Sequence, residues 1–536
     1  MVEKGISFGR RCLLPSGDRW PSGSEPLTDS VATLEQHRAL TAALRDPACY
    51  PWPVDEVRAV ETHISTVLLA GEYAVKIKKP LDLGFLDFTG LDRRRHFCDE
   101  EIRLNGRTAP QIYLRRVAVT GSVEAPRVEG DGAAVEYAVL MRRFPEDELM
   151  DRLLDEGRLP GEAVERLAEA VAGFHAGIPP APPESGYGTP EAVAAPARQN
   201  FEQLEELAAA RPLRDELARL AEWTEDELQR LDVAFRRRRE GGAVRECHGD
   251  LHLGNVAWHD GGVIVFDGIE FDPGLRWIDT ANEIAFAVMD LDFRGARRLR
   301  HRFLNRYLEL SGDYPALELL PFYAVYRAVV RAKINALQAE QGGGGADGAA
   351  EALAGHVRLA LEYTAPPSPE LVITHGLSAS GKSTHARRLV EERGFVRLRS
   401  DVERKRLFGL EARERSGSGL DGGLYAPGAT DRTYAHLLEM AWIALRSGFS
   451  VVVDATFLEA ERRRPFRELA ERLGSGFRIL HVRAAEEVLR ERLRRRLAEG
   501  RDPSEADEAV LDAQLRRAEA PAGDEAAFVE TIDADR

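Results

Sequence analysis

Gly376-Leu377-Ser378-Ala379-Ser380-Gly381-Lys382-Ser383-Thr384 fits the pattern G-x-x-x-x-G-K-[ST] at every position. The apolar run Leu371-Val372-Ile373-Thr374 precedes it, and a helix-forming run over 385–393 follows it. Strand, glycine-rich turn and helix are the context in which such a loop wraps an anion. The glycines let backbone N–H groups turn towards phosphate oxygens, and the helix N-terminus behind them adds its dipole. Lys382 would bridge the terminal phosphates of ATP, and Ser383 would hold Mg²⁺. From Leu371 to about residue 520, short apolar strands alternate with helical runs, so the loop opens an α/β P-loop domain with a parallel sheet.

Four further residues in this half are candidates for the same chemistry. The apolar strand Ser450-Val451-Val452-Val453 ends in Asp454. A carboxylate at the C-terminal end of a buried strand suits a Mg²⁺ ligand, or else it caps the helix that follows. Asp401 follows the strand-like run 394–399 and could take a hydroxyl proton or hold a substrate; its alternative is again a helix cap. Arg492 and Arg496 stand one helical turn apart. They form either a lid over the γ-phosphate or a solvated basic face.

The first half carries a second pattern, His248-Gly249-Asp250-Leu251-His252-Leu253-Gly254-Asn255. The apolar strand Val263-Ile264-Val265-Phe266 then runs into Asp267. In this arrangement Asp250 would orient a substrate hydroxyl and accept its proton, while Asn255 and Asp267 would hold Mg²⁺ against the ATP phosphates. Such a site needs a lysine on an upstream strand. By count the chain has 7 Lys against 66 Arg, so a lysine marks a place where a compact ammonium is wanted. Tyr73-Ala74-Val75-Lys76-Ile77-Lys78 is strand-like, and alternation puts Ala74, Lys76 and Lys78 on one face. Lys76 and Lys78 are both candidates for the phosphates. The acidic partner is expected on the next helix, from Glu100 or Glu101.

The stretch His248–Asn255 resembles the H-G-D-x-H-x-x-N loop of aminoglycoside and choline phosphotransferases, relatives of the protein kinases. The resemblance implies an α+β bilobal protein-kinase-like domain. It selects Lys76 through Ala74-x-Lys76, and Glu101 because it stands three residues before Leu104. The run 136–144 resembles the last strand of the small lobe, which leads to the adenine-binding hinge. The second half, over roughly 371–515, resembles small P-loop kinases of the gluconate kinase, shikimate kinase and zeta-toxin-like group. That similarity includes Ser504-Glu505-Ala506-Asp507 with Val510, Leu511 and Gln514. It implies Asp401 beside the phosphoryl acceptor and Arg492 and Arg496 in the lid.

Taken together, the chain from about residue 35 resembles bacterial bifunctional aminoglycoside phosphotransferase/ATP-binding proteins. Lys76-Ile77-Lys78-Lys79-Pro80, Gly84-Phe85-Leu86-Asp87-Phe88, Phe266-Asp267-Gly268-Ile269-Glu270-Phe271, Arg276-Trp277-Ile278-Asp279 and the run 326–333 carry this likeness. Two departures stand out: Glu283 takes a place where that group has Asp, and Gly342–Gly345 looks like an insertion. Glu270, Asp279 and the Met289-Asp290 stretch have a structural alternative, as carboxylates that cap helices or pair with Arg276.

Composition narrows the function classes. The 536 residues suit several domains, and four cysteines suit a reducing compartment, so a cytoplasmic location is expected. No apolar run of about 18 residues occurs, which argues against a membrane span. The net charge of −16 argues against a broad nucleic-acid binder. It is carried almost wholly by the first half, because residues 366–536 hold 29 basic against 30 acidic side chains. The expected layout is a disordered tail over 1–30, the kinase-like domain over 31–364, a proline-rich linker over 365–370 and the P-loop domain over 371–536. The leading expectation is phosphoryl transfer from ATP with Mg²⁺ to a small-molecule acceptor, at two sites. The alternatives are a regulatory protein in which one domain is a pseudokinase, and a zeta-toxin-like nucleotide-sugar kinase.

Overall fold

The computed structural model describes residues 31–83, 86–341, 346–412, 414, 424, 426–499 and 506–534. The tail expected over 1–30, Gly84, Phe85, the Gly342–Gly345 tract, Ser504 and Glu505 lie outside the described residues. The chain divides into two compact units. Residues 1–159, 177–192 and 238–283 make one, and residues 160–176, 193–237 and 284–536 make the other.

The first unit holds a six-stranded antiparallel sheet of β1 (Val57–Glu61), β2 (Ser65–Ala70), β3 (Tyr73–Lys78), β4 (Tyr113–Gly121), β5 (Pro126–Val128) and β6 (Ala134–Arg142). The spatial order is β1-β2-β3-β6-β4-β5. Ala70 pairs with Tyr73, so β2 and β3 are joined by the two-residue loop Gly71-Glu72. Gly71 has φ +60°, and a Cβ there would stand 2.5 Å from the Pro53 carbonyl oxygen, so only glycine makes this turn. Val75 and Ile77 point into an apolar core with Leu40, Leu68, Val117 and Leu140. The strand's other face, with Lys76 and Lys78, meets the helix Leu91–Asn105. The same unit contains two small antiparallel pairs. β7 (Val244–Glu246) pairs with β10 (Trp277–Asp279), and β8 (Val256–His259) pairs with β9 (Gly262–Val265).

The second unit contains the parallel sheet expected from the strand–helix alternation. Its strands are β11 (Glu370–His375), β12 (Val396–Arg399), β13 (Val451–Asp454), β14 (Gly476–Arg483) and β15 (Val529–Asp533), in the order β12-β13-β11-β14-β15. β13 is buried throughout and β11 nearly so, as fits strands covered on both faces. Helices Leu320–Gln341 and Ala346–Tyr363 pack together around an apolar cluster that includes Phe286, Val329 and Val357. Beside it, Lys333 donates to Asn200 Oδ1 at 2.7 Å and Gln203 Oε1 at 2.9 Å. Burial lowers its pKa to about 8.

A polar seam runs along β12, the edge strand of this sheet. Asn305, on the helix Arg297–Ser311, accepts from the Arg397 N–H at 2.7 Å and donates to the Phe395 carbonyl at 2.9 Å. It thereby occupies backbone groups that an edge strand otherwise leaves open. One turn on, Glu309 accepts from Arg397 (3.1 Å), Arg306 (3.2 Å) and Arg399 (3.5 Å). Tyr314 donates to Glu403 at 3.0 Å, and Glu403 is fully buried. Among the described residues no helix is long and apolar enough to cross a membrane. Cys49, Cys98 and Cys247 are buried and are not joined in disulfides.

Two outcomes follow. Glu309→Ala takes the carboxylate away from the largely buried Arg397 and lowers stability by about 3–5 kcal/mol, read as a drop in the thermal midpoint; an unchanged midpoint would remove the seam from the stability account. The depressed Lys333 penalises the fold while the group is protonated in both states. That penalty is present below pH 8 and relieved as pH rises from about 8 to 10.5. Lys333→Met therefore gains thermal stability at pH 7 and loses the rise seen between pH 8 and 10. A wild-type-like profile in the variant contradicts this.

Candidate functional sites

The first site forms where β3, the helix Leu91–Asn105 and the turn after β9 converge. Lys76 Nζ lies 2.5 Å from Asp267 Oδ1 and 2.8 Å from Glu101 Oε1. Lys78 lies 2.6 Å from the other Glu101 oxygen and also contacts Glu270. Strand alternation thus places both lysines against one carboxylate. Only Lys76 also meets the aspartate, which is half-exposed while Glu101 is fully enclosed. Glu100, the alternative acid, pairs instead with Arg103 at 2.9 Å. Burial alone would lower the Lys76 pKa, but Asp267 and Glu101 outweigh it and hold the amine well above its ordinary value. Burial likewise works against Glu101, yet Lys76 and Lys78 bring it down to about 2. Glu270 ends above the usual carboxylate range, because burial outweighs Lys78 there.

Asp267 has φ +62°, an uncommon conformation that Asp tolerates better than most residues. It is held there from both sides. Its N–H donates to the Tyr113 hydroxyl at 3.0 Å, and the next N–H, of Gly268, donates to Asn105 Oδ1 at 2.8 Å.

The loop over 248–255 is fixed by Glu283. This carboxylate accepts from the His248 N–H at 2.8 Å and the Gly249 N–H at 2.9 Å. Gly249 has φ +87°, and a Cβ there would stand 2.8 Å from the Leu275 carbonyl oxygen. His248 Nδ1 accepts from the Asp250 N–H, so its Nε2 carries the proton and donates to the Phe266 carbonyl at 2.9 Å. Burial lowers the His248 pKa, consistent with this neutral tautomer. Asn255 Nδ2 donates to the Asp250 carbonyl at 3.0 Å and to Asp250 Oδ2 at 2.9 Å. That orients the Asp250 carboxylate and makes the Asn255 amide oxygen the atom that could hold a metal. An amide oxygen and the Asp267 carboxylate are hard oxygen donors of the kind Mg²⁺ takes alongside nucleotide phosphates.

The second site is the loop between β11 and the helix Lys382–Arg393. Gly376 has φ +147°, and a Cβ on it would lie 2.4 Å from the Val482 carbonyl oxygen. Ala379 at φ +64° and Gly381 at φ +102° complete the curl. Ser378 donates its N–H to Gln514 Oε1 at 2.8 Å. The Ser380 hydroxyl is buried without a hydrogen-bond partner, which suits a loop shaped for a polar guest. Lys382 donates to the Leu377 carbonyl at 2.6 Å. Burial lowers its pKa to about 8, against the pull of Asp454 and Asp401. Ser383 and Thr384 are exposed in the helix's first turn.

Asp454 ends β13 and is buried, well short of the helix Ala460–Leu473, whose cap is Glu459. Asp401 lies in the first turn of Ser400–Leu407, after Arg399 at the cap position. Arg492 and Arg496 are on the helix Glu486–Glu499. They donate to the Ala534 carbonyl (2.7 Å) and the Ala506 carbonyl (3.0 Å). Leu489 and Leu493 of that helix and Leu511 of the next pack with loop residues Leu377 and Ala379.

Sequence reasoning gave no site role to Glu283, to Lys78 with Glu270 as a pair, or to Gln514. Glu283 did stand out, as a departure from an expected Asp. In the structure its carboxylate accepts from two successive amides.

A model described as the phosphotransferase enzyme family matches residues 99–320, and an AAA domain model matches residues 371–521. Proteins of Mycobacterium tuberculosis strain H37Rv and of Mycobacterium bovis, both described as uncharacterized, are each 30% identical over 473 residues. These spans cover 88% of this chain and 93% of theirs. Among solved structures, an amicoumacin kinase in complex with AMP-PNP, Ca²⁺ and Ami is 13% identical, with a TM-score of 0.40. It covers 62% of this chain and 96% of its own. A gluconokinase from Sinorhizobium meliloti 1021 is 22% identical, with a TM-score of 0.23, and covers 32% of this chain and 84% of its own.

Glu283→Ala leaves two buried amides without their acceptor. It is expected to cost about 2 kcal/mol or more of stability and to lower Asp250-dependent turnover while sparing Lys382-dependent turnover. Equal losses in both activities would show that the anchor is not local to the first site.

Proposed function

Because the chain belongs to the family in which an aminoglycoside-phosphotransferase-like kinase domain is fused to a P-loop kinase domain, we propose that it transfers γ-phosphate from ATP at two separate nucleotide sites. The domains serving them are those expected over 31–364 and 371–536. In each case the acceptor is a hydroxyl of a small molecule. The observation that carries the reading is Lys76, held 2.8 Å from Glu101 and 2.5 Å from Asp267 in a chain where lysine is scarce.

At the first site Lys76 would bind the ATP phosphates and keep its pairing with Glu101. Asn255 and Asp267 would hold Mg²⁺, which supplies the charge that neutralises the phosphates in transfer. Asp250, oriented by Asn255, takes the proton of the acceptor hydroxyl. At the second site the amides of the loop Gly376–Thr384 wrap the phosphates, and Lys382 leaves the Leu377 carbonyl to bridge them. Ser383 and Asp454 would hold the metal, Asp401 would receive the acceptor, and Arg492 and Arg496 would close over the γ-phosphate.

The test is ATP-dependent phosphorylation of a panel of small alcohols, sugars, aminoglycosides and nucleotide sugars. Asp250→Ala lowers one activity by about 10²–10⁴-fold, and Lys382→Ala lowers the other by at least 10²-fold. Both single variants and the double variant matching wild type would sink the proposal. Turnover lost to one substitution and indifferent to the other would instead assign a regulatory role to one domain.

A further inference from the structure

Glu101 is divided between two ammonium groups. Its Oε1 faces Lys76 and its Oε2 faces Lys78. The two lysines differ in every other respect. Lys76 retains some exposure and touches the half-exposed Asp267. Lys78 has none, and its remaining partner Glu270 is also buried. The Phe88 ring lies 5.1 Å from the Lys78 ammonium and closes another side. Lys78, enclosed on these sides, is not placed to touch a nucleotide itself.

The charges explain its presence. Three carboxylates, Glu101, Asp267 and Glu270, meet two ammonium groups. When Asp267 turns to a metal, two buried carboxylates remain. Each is costly to keep ionised without a fixed cation. If Lys76 alone served both, its charge would be fully committed inside the protein. With Lys78 in place, Glu270 and one oxygen of Glu101 are already compensated.

We propose that Lys78 is a positioning residue that neutralises Glu270 and shares Glu101, so that the charge of Lys76 stays available to the nucleotide phosphates. This rests on the reading of the first site as a nucleotide site, and it adds a second lysine whose effect on binding is indirect.

The test uses the full chain carrying Lys382→Ala, which silences the second site, and measures binding of a fluorescent N-methylanthraniloyl ATP with Mg²⁺. Lys78→Met should weaken binding by tenfold or more, because Glu101 and Glu270 then compete for Lys76. Adding Glu270→Gln restores one acid to one lysine, so the double variant should return to within about threefold of the parent. Charge accounting and packing part company here, since a packing role makes the double variant worse. Glu270→Gln alone should bind as tightly as the parent or tighter. This arm decides the matter if Lys78→Met melts below the assay temperature. The inference is overturned if Lys78→Met binds like the parent, if the double variant gains nothing over it, or if Glu270→Gln alone weakens binding. Lys76→Met and Asp267→Ala are run beside them. If those two bind like the parent, the reading of the site fails; if they lose binding while Lys78→Met keeps it, only the role of Lys78 fails.

Discussion

A carboxylate sealed from water stays ionised only where cations are fixed around it, and Glu101 is such a carboxylate. Much of the first unit is arranged to meet that demand. β3 alternates so that its apolar residues fill one core while its lysines meet the helix of Glu101. The turn after β9 brings Asp267 and Glu270 to the same two lysines from a distant stretch of chain. A strand, a helix and a turn are thus registered by ion pairs among five side chains, in addition to their apolar contacts. A slip of one residue in β3 would bury the lysines among Leu68 and Leu140 and turn Val75 and Ile77 to the acids.

The two candidate sites solve the same problem by opposite means. On the proposed function the first would meet phosphate with side-chain charge, and its lysine is held firmly protonated by acids. The second prepares with backbone: a glycine-rich curl, a helix N-terminus and a lysine resting on a carbonyl with its pKa depressed to about 8. Acids dominate around the first lysine and burial around the second, so the two candidate sites differ in electrostatics.

What the sequence disclosed follows from the range of each interaction. The loop 376–384 and the loop 248–255 are contiguous, and their chemistry is written in adjacent residues. Lys76 could be singled out because arginine is otherwise the default cation, and Glu101 because a familiar spacing surrounds it. Sequence alone makes Lys78 a rival for one role, whereas the structure gives both lysines a place on opposite oxygens of one acid. Glu283 and Glu309 act on residues about 35 and 90 positions away. No local pattern encodes such pairings. Asp454 and Asp401 each had a helix-cap alternative from sequence, and the structure assigns the cap positions to Glu459 and Arg399.

The seam along β12 bears on how this protein can change over time. The helix Arg297–Ser311 lies within the segment matched by the phosphotransferase model, yet Asn305 and Glu309 hold a strand of the segment matched by the AAA model. Natural selection therefore reads that helix twice. A substitution that suits one catalytic segment is also judged by the other. Gene fission between them would leave β12 with an open backbone edge and its arginines without their acid. Asn305 and Glu309 thus make the two matched segments depend on one another for the backbone edge and charge of β12.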